Sequence, residues 1–161
     1  MASVIVSFEL SGREVEVMVK PMMTLQAVLR TQLGHTAVKD GCRQGGCGSC
    51  TVLVDGEPML SCLLPVQDIA GRRVTTVEGL TPAEGLHPIQ KAFLEANGFQ
   101  CGYCTPGMIM LAKALLEHNP EPSRDQIMDA LAGNVCRCTG YLPIIEAIGS
   151  AAAAITQEAG R

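Results

Sequence analysis

The chain has 161 residues, 17 % of them charged, and a net charge of −4, which leaves room for one large domain or two small ones and gives no strongly basic face for nucleic acid. Its opening, MASVIVSFEL, has neither the basic segment nor the long apolar run of a secretory signal. No window approaches the ~20 apolar residues of a membrane span, so direct membrane insertion is not expected and the cytoplasm is the expected compartment.

The first half reads mostly as strand. Val4, Val6, Phe8 and Leu10 alternate with Ser7 and Glu9, the period of a half-buried strand. Ser11-Gly12 marks a turn, and Val15, Val17 and Val19 alternate again in a return strand. Thr24 has the chemistry of an N-cap for a helix carrying Leu25, Val28, Leu29 and Leu33, with Gly34 as its stop. A glycine-rich loop over residues 40–49 comes next. Residues 51–54 and 57–60 then flank Asp55-Gly56, the signature of a tight hairpin. Residues 72–77 read as a last strand. A hairpin, a helix and further strands point to a β-grasp arrangement.

The second half reads as helix. His87-Pro88 opens a helix through Phe93 and Leu94 that Asn97-Gly98 closes. Thr105-Pro106 starts another, stopped by Asn119-Pro120. Ser123 and Gln126 form a capping box for Ile127, Met128 and Leu131, with Gly133 as the stop. Pro143 begins a fourth helix with Ile144, Ile145 and Ile148 on one side. Four short helices predict a small bundle, so the expected class is α+β: a β-grasp domain over residues 1–78 and a four-helix-bundle domain over 79–161. The boundary falls in a linker at residues 78–84. Met108 and Met110 sit at helical spacing and read as core filler rather than as ligands.

The eight cysteines fall into two sets of four with none left over. Cys42, Cys47 and Cys50 form a C-x4-C-x2-C run followed by Cys62, the plant-type ferredoxin spacing for a [2Fe–2S] cluster. Cys101 and Cys104 form C-x2-C, and Cys136 and Cys138 form C-x-C. Four thiolates around a cluster carry net negative charge, which backbone N–H groups stabilise without adding a countercharge. The glycines among residues 41–50 allow a loop to aim its amides inward. The second set precedes two helix starts, at Pro106 and Pro143, where free N–H groups and the helix dipole favour an anion. Structural zinc competes for that second set, because C-x2-C pairs also serve zinc. Disulfides are not expected in a reducing compartment. Two clusters on one small chain would move single electrons as a relay.

The remaining polar residues carry weaker signals. His87 and His118 lie at helix ends, where capping or dipole roles are expected, and His35 sits in a turn. Arg43 and Arg137 neighbour ligand cysteines and read as tuning residues, as residues that pair with a partner, or as plain surface. No phosphate-binding glycine motif occurs, so a nucleotide site is not expected on this chain.

Three segments, GCRQGGCGSCTVLVDG, FQCGYCTPGMIM and GNVCRCTGY, carry a resemblance over nearly the whole chain. The chain resembles the small iron–sulfur subunit of the molybdenum hydroxylases, the xanthine dehydrogenase and aldehyde oxidoreductase family. That resemblance implies a plant-ferredoxin-like domain followed by a helical domain, each with one [2Fe–2S] cluster. It implies a large partner subunit that holds molybdenum on a pterin and oxidises the substrate, and a medium FAD subunit or a haem-containing acceptor. It places the Cys101, Cys104, Cys136 and Cys138 cluster nearer the molybdenum, and the Cys42, Cys47, Cys50 and Cys62 cluster nearer the flavin. Gln100 matches a glutamine that contacts the pterin, and the backbone near Cys138 is expected to touch the same cofactor. Ser49 stands where many relatives have alanine, and its hydroxyl would raise the potential of the first cluster. No substrate site is expected on this chain. Two rival readings are a free two-cluster ferredoxin-type carrier and a zinc-stabilised interaction module.

Overall fold

The structure is a computed structural model that describes residues 3–159. Strands β1 (Val4–Leu10) and β2 (Arg13–Val19) form an antiparallel hairpin through Ser11 and Gly12, both at positive φ. Helix α1 (Leu25–Thr31) follows, with the Thr24 hydroxyl accepting the Ala27 N–H as the N-cap expected from the sequence. Strands β3 (Thr51–Val54) and β4 (Glu57–Leu60) pair across Asp55 and Gly56, whose left-handed backbones turn the hairpin. After two short 3-10 turns, β5 (Arg73–Thr75) enters the middle of the sheet, parallel to β1 and antiparallel to β3. The order β2-β1-β5-β3-β4, with Leu25, Val28 and Leu29 of α1 buried against Phe8, Val52 and Ile69, is the β-grasp arrangement.

The helical part comprises α2 (Val77–Leu80), α3 (Pro88–Glu95), α4 (Thr105–His118), α5 (Arg124–Leu131) and α6 (Leu142–Ala159). Its core gathers Ile89, Phe93, Met108, Ile127, Ile144 and Ile148, so the apolar stripes read from the sequence meet one another. His87 caps α3 with Gln90, and Ser123 caps α5 with Gln126, both as reciprocal capping boxes. No helix among the described residues is long and apolar enough to cross a membrane.

Two expectations need correcting. The last strand stops at Thr75, and Val77 instead opens α2. The expected linker is therefore partly helical. Packing decides this: Gly79 lies against Ser11, and Val77 and Leu80 pack onto Leu53 of β3 and Met110 and Ala114 of α4. Leu33 lies past the end of α1, although its side chain still packs on the sheet core.

The sheet and helical parts share a small apolar contact of Leu53, Met110 and Ala114. At its edge His118 Nε2 pairs with Glu57 at 3.2 Å. Met110 is thus core filler, but between the two parts rather than inside the bundle.

Candidate iron–sulfur sites

The first cysteine loop is built on left-handed backbone. Arg43, Gly45 and Gly48 all have positive φ, which alternates the direction of successive N–H groups. The Gly46 N–H donates to Cys42 Sγ at 3.2 Å. The Gln44 N–H, aided by the Cys47 thiol and then by the Gly46 and Cys47 amides, holds the Cys42 thiol down to about 7 against the opposing effect of burial. Arg43 points back to Asp40, with its Nε 2.7 Å from one carboxylate oxygen, and that hydrogen bond holds the Asp40 carboxyl below the usual carboxylate range. Cys50 and Cys62 lie in the sheet core. Burial pushes Cys50 up to about 11, with its neighbour Cys62 adding to the shift. A thiol with that preference sheds its proton for a metal rather than for water. Ser61, fully buried, fixes the approach by donating to the Cys50 carbonyl at 2.7 Å.

The second set splits into an inner and an outer pair. Cys104 is buried, and burial together with Cys136 pushes it up to about 12. Burial also raises Cys136, but the hydroxyl and N–H of Thr139 outweigh it and bring the thiol below its ordinary value. Cys101 and Cys138 are exposed, with their sulfurs 3.6 Å apart, and that contact raises Cys138.

Both expected helix starts are present, but the thiols sit differently against them. Cys104 is the N-cap residue of α4. Cys136 and Cys138 instead precede a turn at residues 139–141, where Tyr141 takes positive φ before α6 begins. Tyr141 Oη accepts the Cys136 N–H at 2.9 Å and donates to the Asn134 carbonyl at 3.2 Å. A tyrosine clamp therefore holds this loop just ahead of the α6 start.

The cysteine loops meet. The Val135 N–H donates to the Cys47 carbonyl at 3.0 Å, and Tyr103 Oη donates to the Asp40 carbonyl at 2.8 Å. Gly48 and Gly107 are in contact, with buried Asn134 beside both, so no side chain fits at either glycine. A cavity of about 200 Å³ at this junction is lined by Gly41, Cys47 and Ser49 from the first loop, by Cys101 and Cys104 from a second and by Cys136 and Cys138 from a third.

The donor chemistry fits two-iron clusters. Among the described residues, no three His, Cys, Asp or Glu side chains converge on a single ion position. The thiols come instead as neighbouring pairs: Cys42 with Cys47, Cys50 with Cys62, Cys104 with Cys136, and Cys101 with Cys138. Two pairs are what two irons require, each held by two thiolates. All eight cysteines are free. The buried Thr105 hydroxyl beside Cys104 lacks a hydrogen-bond partner, a donor left over next to a place for an anion.

The remaining expected residues are placed simply. Gln100 is exposed on the rim beside Cys101, close in sequence to exposed Phe99 and Tyr103. His87 and His118 serve helix ends, and His35 Nδ1 meets Thr76 Oγ1 at 2.8 Å. Sequence reasoning missed Tyr141, Asn134, Tyr103 and Gly107. Tyr141 and Asn134 stand inside the GNVCRCTGY segment, which was the only signal for them.

Residues 8–75 match the "2Fe-2S iron-sulfur cluster binding domain" family, and residues 76–149 match the "[2Fe-2S] binding domain" family. Fold and thiol arrangement together thus define an iron–sulfur protein with a sheet domain and a helical domain. The chain is 45 % identical over 147 residues to a nicotinate dehydrogenase subunit of Pseudomonas putida, covering 91 % of this chain and 94 % of the relative. It is 40 % identical to the nicotinate dehydrogenase small FeS subunit of Eubacterium barkeri, covering 92 % and 94 %. The crystal structure of quinoline 2-oxidoreductase from Pseudomonas putida 86 contains a chain that superposes with a TM-score of 0.93 at 42 % identity, covering 98 % of each. Against the aldehyde oxidoreductase of Megalodesulfovibrio gigas, the match is 45 % over 90 % of this chain but only 16 % of that longer protein. The chain belongs to the family of [2Fe–2S] subunits of the molybdenum hydroxylases and is the FeS subunit of an oxidoreductase.

Proposed function

We propose that this chain holds two [2Fe–2S] clusters and carries single electrons from a molybdenum–pterin subunit to an FAD subunit or another acceptor. Cys42, Cys47, Cys50 and Cys62 of a domain over residues 1–78 would hold one cluster. Cys101, Cys104, Cys136 and Cys138 of a domain over residues 79–161 would hold the other. Bound there, the clusters supply one-electron redox chemistry. The protein's own residues position them, shield them and join them.

The observation that carries this reading is the asymmetry of the second set. All four border the junction with the first loop, but Cys104 is buried and Cys136 half-buried, while Cys101 and Cys138 are exposed. Exposed ligands bring that cluster within electron-transfer reach of whatever docks there, and the length-matched relatives, named as subunits of dehydrogenases, favour a fixed partner over a free carrier. Exposed Gln100 and the backbone at Cys138 would then meet the pterin of that partner. On the sheet domain Arg43, Gln44 and Leu63 are exposed around the first loop, a face suited to the acceptor subunit. The complex would work in the cytoplasm, where ligand thiols stay reduced. Relatives of matching length are named for nicotinate and quinoline, which puts nitrogen heteroaromatics first among substrates to try on the assembled complex.

Iron and zinc analysis with a reductive EPR titration of the purified chain tests the cluster reading. About four irons and two distinct [2Fe–2S] signals are expected. Zinc in the second set would reduce the chain to a single-cluster protein. Co-purification from the native source separates the subunit from the free carrier, since only the former brings larger chains with it.

A further inference from the structure

We propose that Ser49 and Thr139 set the potentials of the two clusters, each by donating a hydrogen bond to a ligand thiolate that lines the junction between the domains. The proposal rests on the two-cluster reading above and adds to it which residues bias the relay.

The geometry is matched on the two sides. Ser49 Oγ lies 3.1 Å from Cys47 Sγ, and Thr139 Oγ1 lies 3.1 Å from Cys136 Sγ. Cys47 and Cys136 are the ligands joined most directly across the junction. The Cys47 carbonyl accepts the N–H of Val135, the residue before Cys136, and both cysteines line the junction cavity. A thiolate bound to iron has no proton to give, so each hydroxyl must be the donor. Thr139 is prepared for that role, because its oxygen already accepts the Tyr141 N–H at 3.2 Å and its own proton is left for the sulfur. Ser49 is 4 % exposed, and among the described residues its hydroxyl has no side-chain partner but Cys47. Gly41 keeps this contact open, since a Cβ there would come within 2.7 Å of both Cys47 Sγ and Ser49 Oγ.

A hydrogen bond to a ligand sulfur strengthens as negative charge builds on that sulfur. Each hydroxyl therefore favours the reduced form of its own cluster and raises that cluster's potential. Ser49 and Thr139 act on opposite ends of one short connection, so the difference between their effects biases the direction in which an electron rests.

The test is an anaerobic EPR-monitored redox titration of the full chain carrying both clusters, with iron counted in every sample. Ser49→Ala is expected to lower the midpoint of the first-set cluster alone, by about tenfold in the one-electron equilibrium or ~59 mV. Thr139→Val is expected to lower the other midpoint alone, and Thr139→Ser to restore it. Unmoved midpoints in iron-replete variants, or equal shifts of both clusters in either variant, would overturn the proposal. Should Thr139→Val shed iron, the Ser49 arm decides alone, and an unmoved midpoint there overturns the proposal. A wild-type chain without two [2Fe–2S] signals would sink the two-cluster reading itself. Two wild-type signals indifferent to both hydroxyls would sink only the tuning.

Discussion

The sheet domain and the helical domain present four thiols each, but they grip them differently. The sheet domain uses a loop of left-handed backbone whose amides converge on Cys42, and it buries Cys50 and Cys62 in its own core. The helical domain sets one cysteine, Cys104, as a helix N-cap, holds the other loop with a tyrosine clamp and a short turn, and leaves Cys101 and Cys138 at the surface. One set has two buried and two half-buried thiols, the other one buried, one half-buried and two exposed. Burial costs a charged group its hydration, and the sheet domain offsets that cost with its own N–H donors. The helical domain leaves half of its thiol set in solvent, as suits a site that a partner completes.

The contrast breaks most severely at the junction. Gly48→Ala would place a Cβ on left-handed backbone and into the Asn134 amide, with the Gly133 carbonyl oxygen 2.6 Å away. A loss of roughly 3 kcal/mol or more is expected in denaturant unfolding, from strain and overpacking together. Met110→Ala, which hollows the contact with Leu53, is expected to cost about 2–4 kcal/mol and to split one cooperative transition into two. A single unchanged transition would mean that the loops alone hold the domains together. Tyr141→Phe removes the acceptor of the Cys136 N–H at a cost of about 1 kcal/mol. It should broaden or shift only the second cluster's EPR signal, so a change in the first would show that the two sites are not separately built.

The smallest effect is one of pH. Hydrogen bonding to the Ala114 carbonyl, and then the charge of Glu57, raise the pKa of His118 above its ordinary value near 6.5. A raised folded-state pKa means that this contact is fully present below about pH 6.5 and is lost as pH rises through the folded value. His87 has the opposite sign, since burial lowers its pKa, so its contribution is lost as pH falls. The comparison of wild type with His118→Gln isolates the first. Their denaturation midpoints are expected to differ slightly at pH 6 and to converge by pH 8.

Much of this was legible in the chain because its signals are local. The Asp55-Gly56 turn, the Thr24, His87 and Ser123 caps and the cysteine spacings all depend on residues a few positions apart. Val77 misled because it continues the β-branched pattern of Val74, while its final state is decided by Met110 in a distant helix. The junction was not legible for the same reason. Gly48, Gly107 and Asn134 meet only after both domains have folded. Gly48 reads locally as one more loop glycine, and Tyr141 as an ordinary aromatic after a ligand motif.

Low-temperature EPR of the fully reduced chain tests the central claim most directly. Two [2Fe–2S] signals should broaden or split each other through mutual magnetic coupling, because Cys47 and Cys136 border one cavity. Cys101→Ser should abolish one signal and leave the other sharp. Two signals that ignore each other, or a Cys101→Ser chain that loses both, would contradict a relay built from two separately held clusters in contact.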